Sequence, residues 1–155
     1  MTRSEEALAP DTVATARLRV ALELEIPSDV RYIESVVEIV ARHCVQFHFT
    51  SRQCALNIPV ALTEALSNAI LRGNGEGDGP RVQVKADVSP TRLVLEVVDE
   101  GTGFDLAECL VDPTSPENIE REDGRGLFLM TRLMDELERF TSHGNVVRMT
   151  LRRHD

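Results

Sequence analysis

What the sequence has little of narrows it first. With 17 lysines and arginines against 26 aspartates and glutamates, a net charge of −9, it lacks the surplus of cations that a phosphate backbone or an anionic lipid surface demands. Direct nucleic-acid binding is therefore not expected. Cysteine is scarce and odd in number: Cys44, Cys54 and Cys109 show neither CxxC nor Cys/His ligand spacing, so they read as unpaired thiols of a reducing cytosol. Apolar runs are short enough that no membrane span is expected, and the N-terminus lacks the apolar centre of a signal peptide. The expectation is a cytoplasmic chain. At 155 residues and 42% hydrophobic composition, there is material for one domain with a core of its own.

What is present has a clear order. Residues 1–16 are polar and without periodicity, a flexible tail ahead of a domain over 17–155. Strict alternation through Leu18, Val20, Leu22, Leu24 and Ile26 predicts a strand. Pro27-Ser28-Asp29 then starts a helix, with Ser28 as its expected N-cap and Val30, Ile33, Val36, Val37, Val40, Ala41 and Cys44 on its apolar stripe. A second helix, capped by Thr50 or Ser51, carries Leu56, Val60, Leu62, Leu66, Ala69 and Ile70. Pro59 either kinks it or restarts it one turn late. It stops at Gly73-Asn74-Gly75.

Residues 81–88 and 92–99 read as antiparallel strands joined through Ser89-Pro90-Thr91. The stretch 101–124 is irregular, charged and long for a small domain, with a short helical patch at 106–110, and reads as a lid. Helical periodicity returns over 126–137 through Leu127, Met130, Leu133, Met134 and Leu137, and a hairpin over 138–141 and 146–152 closes the chain. The order β-α-α-β-β-lid-α-β-β predicts an α+β fold. It is a two-layer sandwich, a mixed, mostly antiparallel sheet covered on one face by helices.

Three places carry chemistry. Glu64 and Asn68 lie four apart on the second helix and so share a face, among Ala61, Ala65, Leu66 and Ala69. A carboxylate and an amide oxygen in that setting suit Mg²⁺ with a base beside it; alone, such a pair is more often a solvated polar stripe. Asp99 ends a strand and leads into Gly101-Thr102-Gly103, where the backbone can pass close to a ligand. An ionised Asp99 accepts from the N6 amino group of adenine and repels the guanine carbonyl, although an ordinary glycine turn explains the same residues as well. Gly124-Arg125-Gly126-Leu127 opens a helix, where free N–H groups and one arginine make a phosphate cradle, or merely a loop end.

Taken together, and in this order, the three segments resemble the ATP-binding boxes shared by gyrase, ninety-kilodalton heat-shock chaperones, sensor histidine kinases and mismatch-repair MutL proteins. The shortness of the chain, Glu64-Ala65-Leu66-Ser67-Asn68-Ala69-Ile70 with Gly73-Asn74, Asp123-Gly124-Arg125-Gly126-Leu127, and Gly144-Asn145-Val146-Val147-Arg148-Met149 are most similar to the anti-sigma-factor serine/threonine kinases. That resemblance implies ATP and Mg²⁺ as cofactors, Asn68 as metal ligand and Glu64 as general base. It also implies Asp99 as the adenine reader, with Gly101 and Gly103 beneath the nucleotide, and Gly124, Arg125, Gly126 and Leu127 at the phosphates. The implied partners are a STAS-type anti-anti-sigma protein as phosphoacceptor, a sigma factor to be sequestered and often a second copy of the chain. Two positions depart from the family, which often has His at position 72 and Thr at position 145. Arg72 adds a phosphate contact or caps the helix end by its charge. Asn145 can still bond toward Asp99. A non-catalytic ATP-gated switch and a stand-alone histidine-kinase-like ATPase domain are the alternatives. A sensor histidine kinase fits poorly, because His43 lacks the sequence context of a phosphoacceptor.

Overall fold

A computed structural model describes residues 18–74, 79–101 and 122–154, with side chains in the last stretch from Gly126 onward. The expected tail, the helical patch, Gly103 and most of the lid fall outside those residues; the last lid residues, 122–124, are already helical, so the helix expected from Gly126 starts four residues earlier. Strand β1 (Val20–Pro27) keeps the alternation, with Leu22, Leu24 and Ile26 turned inward and Glu23 and Glu25 exposed. It begins later than the pattern suggests, and Leu18 is exposed. β2 (Arg81–Val88) and β3 (Arg92–Asp99) match their predicted bounds, and the turn between them is closed by Ser89, whose N–H donates to the Arg92 carbonyl at 2.9 Å. With β4 (Glu136–Thr141) and β5 (Asn145–Arg152) they form a five-stranded sheet in the order β1-β2-β3-β5-β4.

Every pairing is antiparallel, so the sheet is not mixed. The return from β1 to its neighbour β2 runs through two helices, yet brings the chain back in the opposite direction. One face is apolar, built by Val82, Val84, Ala86 and Val88, then Leu93, Leu95 and Val97, then Val147, Met149 and Leu151. The other face is charged, with Arg148 bonded to Glu96 at 2.7 Å.

The helices cover the apolar face. Asp29, rather than Ser28, caps the first of them: its carboxylate accepts from the Arg31 N–H at 2.9 Å. Ser28 is buried, and its N–H still donates to the Pro80 carbonyl at 3.2 Å. That bond lies just beyond the last β1–β2 pair, and the cap falls one residue on. A 3₁₀ turn (Val30–Tyr32) leads into α1 (Ile33–Gln46), which buries Val36, Val40 and Cys44. Val30, held in the turn, is exposed and leaves the stripe. Burial pushes the Cys44 thiol up to about 12, so this cysteine behaves as an apolar core group.

Thr50 caps the second helical stretch through a reciprocal box. Gln53 N–H donates to Thr50 Oγ1 at 3.0 Å, and Thr50 N–H donates to Gln53 Oε1 at 3.2 Å. Pro59 has no N–H to offer the carbonyl four residues back, and its ring crowds that carbonyl. The chain accommodates it with a π turn (Gln53–Asn57), and α2 (Ile58–Asn68) starts afresh with the proline in its first turn. The wider turn shifts the helical phase. Ile58, Ala61, Leu62, Ala65, Leu66, Ala69 and Ile70 are buried, while Leu56 and Val60 are only half-buried. A second π turn (Ala69–Asn74) ends the stretch. By length and composition Gln53–Asn74 is one helix apolar enough to cross a membrane, against the sequence expectation. Ile58, Ala61, Leu62, Ala65, Leu66, Ala69 and Ile70 lie instead in the domain core, while Leu71 is exposed.

α3 (Glu122–Leu133) buries Leu127 and Met130. The chain turns at Asp135, whose N–H donates to the Thr150 carbonyl at 2.8 Å. Leu137 therefore belongs to β4, opposite Met149, and not to the helix. Its spacing from Leu133 suits a helix as well as it suits an inward strand position, and pairing with β5 decides.

Gln53 ties the two ends of this arrangement together. Its side chain is 1% exposed, donates to the Arg152 carbonyl at 2.7 Å and accepts from the His154 N–H at 3.3 Å. Gln53→Ala leaves that carbonyl without its side-chain donor, and should lower stability by about 1–3 kcal/mol. The check is urea unfolding, with a lower midpoint at unchanged m.

Candidate functional site

Alternation along β3 sets Leu93, Leu95, Val97 and Asp99 on the helix-facing side. Asp99 is thus 5% exposed at the strand end. Across the sheet it lies between Val82 and Asn145. Asp99 Oδ1 accepts from the Gly101 N–H at 2.9 Å and from Asn145 Nδ2 at 3.0 Å. Asn145 Nδ2 also donates to the Gly101 carbonyl in a short hydrogen bond. One amide therefore holds both the carboxylate and the backbone that leaves it. Among the described residues both bonds fall on Oδ1.

The end of the second helical stretch closes on the same point. A Cβ at Gly73 would strike the Asp99 carboxylate, and one at Gly101 would strike the Gly73 carbonyl. Two backbones meet here with no room for a side chain. Further back on α2, Glu64 is half-buried and Asn68 is 9% exposed. Gly126 approaches them from α3: a Cβ there would lie 2.7 Å from Glu64 Oε2 and 3.6 Å from Asn68 Nδ2. Asn68 Nδ2 is buried with no hydrogen-bond partner among the described residues. A buried amide group without a partner costs about 1–3 kcal/mol, which a bound ligand would offset.

Turning the Asn68 amide over exchanges its oxygen and nitrogen and presents an oxygen at the same place. With the Glu64 carboxylate beside it, that is a hard-oxygen corner fitting Mg²⁺. Among the described residues no three His, Cys, Asp or Glu side chains converge on a metal position. Asn68 would thus supply one ligand of a shell completed by water and phosphate oxygens, as is usual for this ion, with Glu64 beside it.

The remaining sequence-predicted residues divide. Gly124 and Arg125 lie in the first turn of α3, with the Arg125 side chain outside the described residues. Leu127 is fully buried in the core and lies in the second turn of α3, past the four free N–H groups of the helix start. Arg72 is exposed on the π turn, and among the described residues no ion pair joins it to the others. A concavity of about 970 Å³, lined by Arg19, Lys85, Asp87, Glu96 and Arg148 among others, lies on the opposite, open face of the sheet and contains none of these residues. Sequence reasoning underrated Gly73 and Asn74, which it read chiefly as a helix stop. Their signal was a glycine at a helix end and another, Gly101, at a strand end, a pattern that permits close backbone contact.

Comparison with known proteins agrees with this geometry. Residues 26–151 match the family model of the histidine kinase-like ATPase domain. An anti-sigma F factor of Thermoanaerobacter sp. (strain X514) is 34% identical over 115 residues, covering 72% of this chain and 79% of that protein. The serine-protein kinase RsbW of Bacillus subtilis (strain 168) is 28% identical over 134 residues, covering 83% of each. A family model spanning most of the chain, together with relatives of these two kinds, shows that it belongs to the histidine kinase-like ATPases, in the family of the anti-sigma-factor kinases.

Proposed function

We propose that this chain binds Mg²⁺-ATP, transfers the γ-phosphoryl group to a serine or threonine of a STAS-type anti-anti-sigma protein, and sequesters a sigma factor. The names of its relatives, anti-sigma F factor and serine-protein kinase, support both halves of the reading. The observation that carries nucleotide binding is the buried Asp99 carboxylate, held on one oxygen by Asn145 and the Gly101 N–H. Its other oxygen accepts from adenine N6; a guanine carbonyl at the same place meets it as a second acceptor. Glu64 takes the proton from the attacking hydroxyl, and Asn68 offers its amide oxygen to the metal. Bound Mg²⁺ supplies charge neutralisation at the phosphate oxygens. Gly126 permits the start of α3 to lie against both side chains, so that backbone N–H groups at that helix end face the phosphates.

Base selectivity tests the first half. Calorimetry with Mg²⁺ present should show ATP bound in preference to GTP, and Asp99→Asn should reduce that preference by roughly 10- to 100-fold, the worth of one buried polar complementarity. Equal affinity for the two nucleotides in the unmutated protein would refute the role given to Asp99.

The second half turns on Glu64 and Asn68. Glu64→Gln should leave ATP affinity nearly intact and slow phosphoryl transfer to the partner by about 10²–10⁴-fold. Asn68→Ala should lose affinity and transfer together, because the phosphates are then neither aligned nor neutralised. Labelled ATP, the chain and candidate STAS proteins suffice for the measurement. A Glu64→Gln variant that transfers phosphate at the unmutated rate would remove Glu64 as the base.

A further inference from the structure

Asn74, the last residue of the second π turn, makes two side-chain hydrogen bonds that no part of the nucleotide-binding reading uses. Its Oδ1 accepts from the Glu100 N–H at 2.7 Å, and its Nδ2 donates to the Arg81 carbonyl at 2.8 Å. Glu100 Oε2 in turn accepts from the Arg81 N–H at 3.4 Å. One amide therefore joins three segments: the end of the helical stretch that carries Glu64 and Asn68, the entry to β2, and the exit from β3.

We infer that Asn74 is a positioning residue for base selection, a clasp that sets where Asp99 stands relative to the helix that carries Asn68. This rests on the reading of Asp99 as the adenine contact. The geometry gives the clasp its leverage. Glu100 lies between Asp99 and Gly101, the residue whose N–H holds Asp99 Oδ1. Gly73, the neighbour of Asn74, lies against the Asp99 carboxylate and the Gly101 backbone so closely that neither glycine has room for a Cβ. Contact between two bare backbones has no directional fastening of its own. The Asn74 amide supplies it with one donor and one acceptor pointing to different strands. Asn145 holds Asp99 from the β5 side, and Asn74 holds the residue after it from the helix side. With Asn74 gone, Asn145 and the Gly101 N–H still bond the carboxylate, but Glu100, which lies between Asp99 and Gly101, is free to shift with the strand exit.

A positioning role differs from plain stabilisation in what it changes. Loss of fold stability weakens all nucleotides alike, whereas a displaced Asp99 weakens ATP and leaves GTP, which gains nothing from Asp99, nearly as before. The experiment measures ATP and GTP affinity of the full chain by calorimetry with Mg²⁺, for the unmutated protein and for Asn74→Ala. The expected result is a fall of about tenfold in the ATP-to-GTP affinity ratio, the scale of one hydrogen bond's placement. Asn74→Ser, milder in volume, should move the ratio the same way by less. An unchanged ratio in both variants, with the unmutated protein still preferring ATP, overturns the role of Asn74 and spares that of Asp99. No preference in the unmutated protein overturns both. Amide exchange of the unmutated chain gives an independent reading should the variants not fold. The Glu100 N–H, on an exposed residue, should exchange slowly without nucleotide because Asn74 holds it, and free exchange there would show that the clasp does not exist.

Discussion

Burying Asp99 on the helix-facing side of β3 takes a carboxylate out of water, and an ion so placed is destabilising by several kcal/mol unless donors replace its hydration. The structure around it answers that constraint. The row Ile26, Val82, Asp99, Asn145 and Thr141 runs across all five strands, apolar on one side of the acid and polar on the other. Asn145 stands directly opposite with an amide, and the chain turns at once so that the Gly101 N–H faces back to Oδ1. Glycines at 73 and 101 let the helix end close over the carboxylate without a side chain between. The solution is asymmetric, with both donors on one oxygen among the described residues.

The second constraint is the helical stretch that begins at Thr50. Its proline would break an ideal α-helix, and the π turn Gln53–Asn57 absorbs the missing donor. The resulting change of phase places Ala61, Ala65 and Ala69 against the sheet and the neighbouring helices, small residues where elements lie close. On the same stretch, the half-buried Glu64 and the buried Asn68 meet Gly126 of α3. A polar pair four residues apart is thereby enclosed by a second helix, which the spacing alone does not announce. The same phase change leaves Asn74 at the far end, bonded to the Glu100 N–H and the Arg81 carbonyl.

The two faces of the sheet divide the work. The face under the helices holds the core and, at one edge, the site. The other carries paired charges of both signs, Arg19 with Asp87 and Arg148 with Glu96 and Glu138. Such surface pairs contribute little each to stability. They keep a hydrophilic cover over a sheet that would otherwise expose apolar strand residues such as Val94 and Val98. Cys44, with its thiol pushed up by burial, takes no part in either face's chemistry.

How much was written in the chain differs from element to element. Alternation in 81–88 and 92–99 fixed two strands to the residue, because a period of two has no competing reading when turn residues stand between. The same alternation put Asp99 in line with Leu93, Leu95 and Val97, so its burial was legible too. The order of ExxxN, DxGxG and GxG segments identified Glu64, Asn68, Asp99, Gly101 and Gly126, and the structure brings these into two neighbouring clusters. What the sequence could not decide were matters of competition between distant segments. Leu137 fits a helix or a strand equally and went to the strand because β5 offered Met149 as its partner. The cap fell to Asp29, while the Ser28 N–H bonds the Pro80 carbonyl just ahead of β2. The helical phase after Pro59 depended on a π turn that no local periodicity announces. Asn74 read as a turn residue, since its two bonds reach segments 7 and 26 residues away. Periodicity records which face a residue shares with its near neighbours. Which distant backbone groups compete for its hydrogen bonds is decided only when the sheet and the helices are packed together.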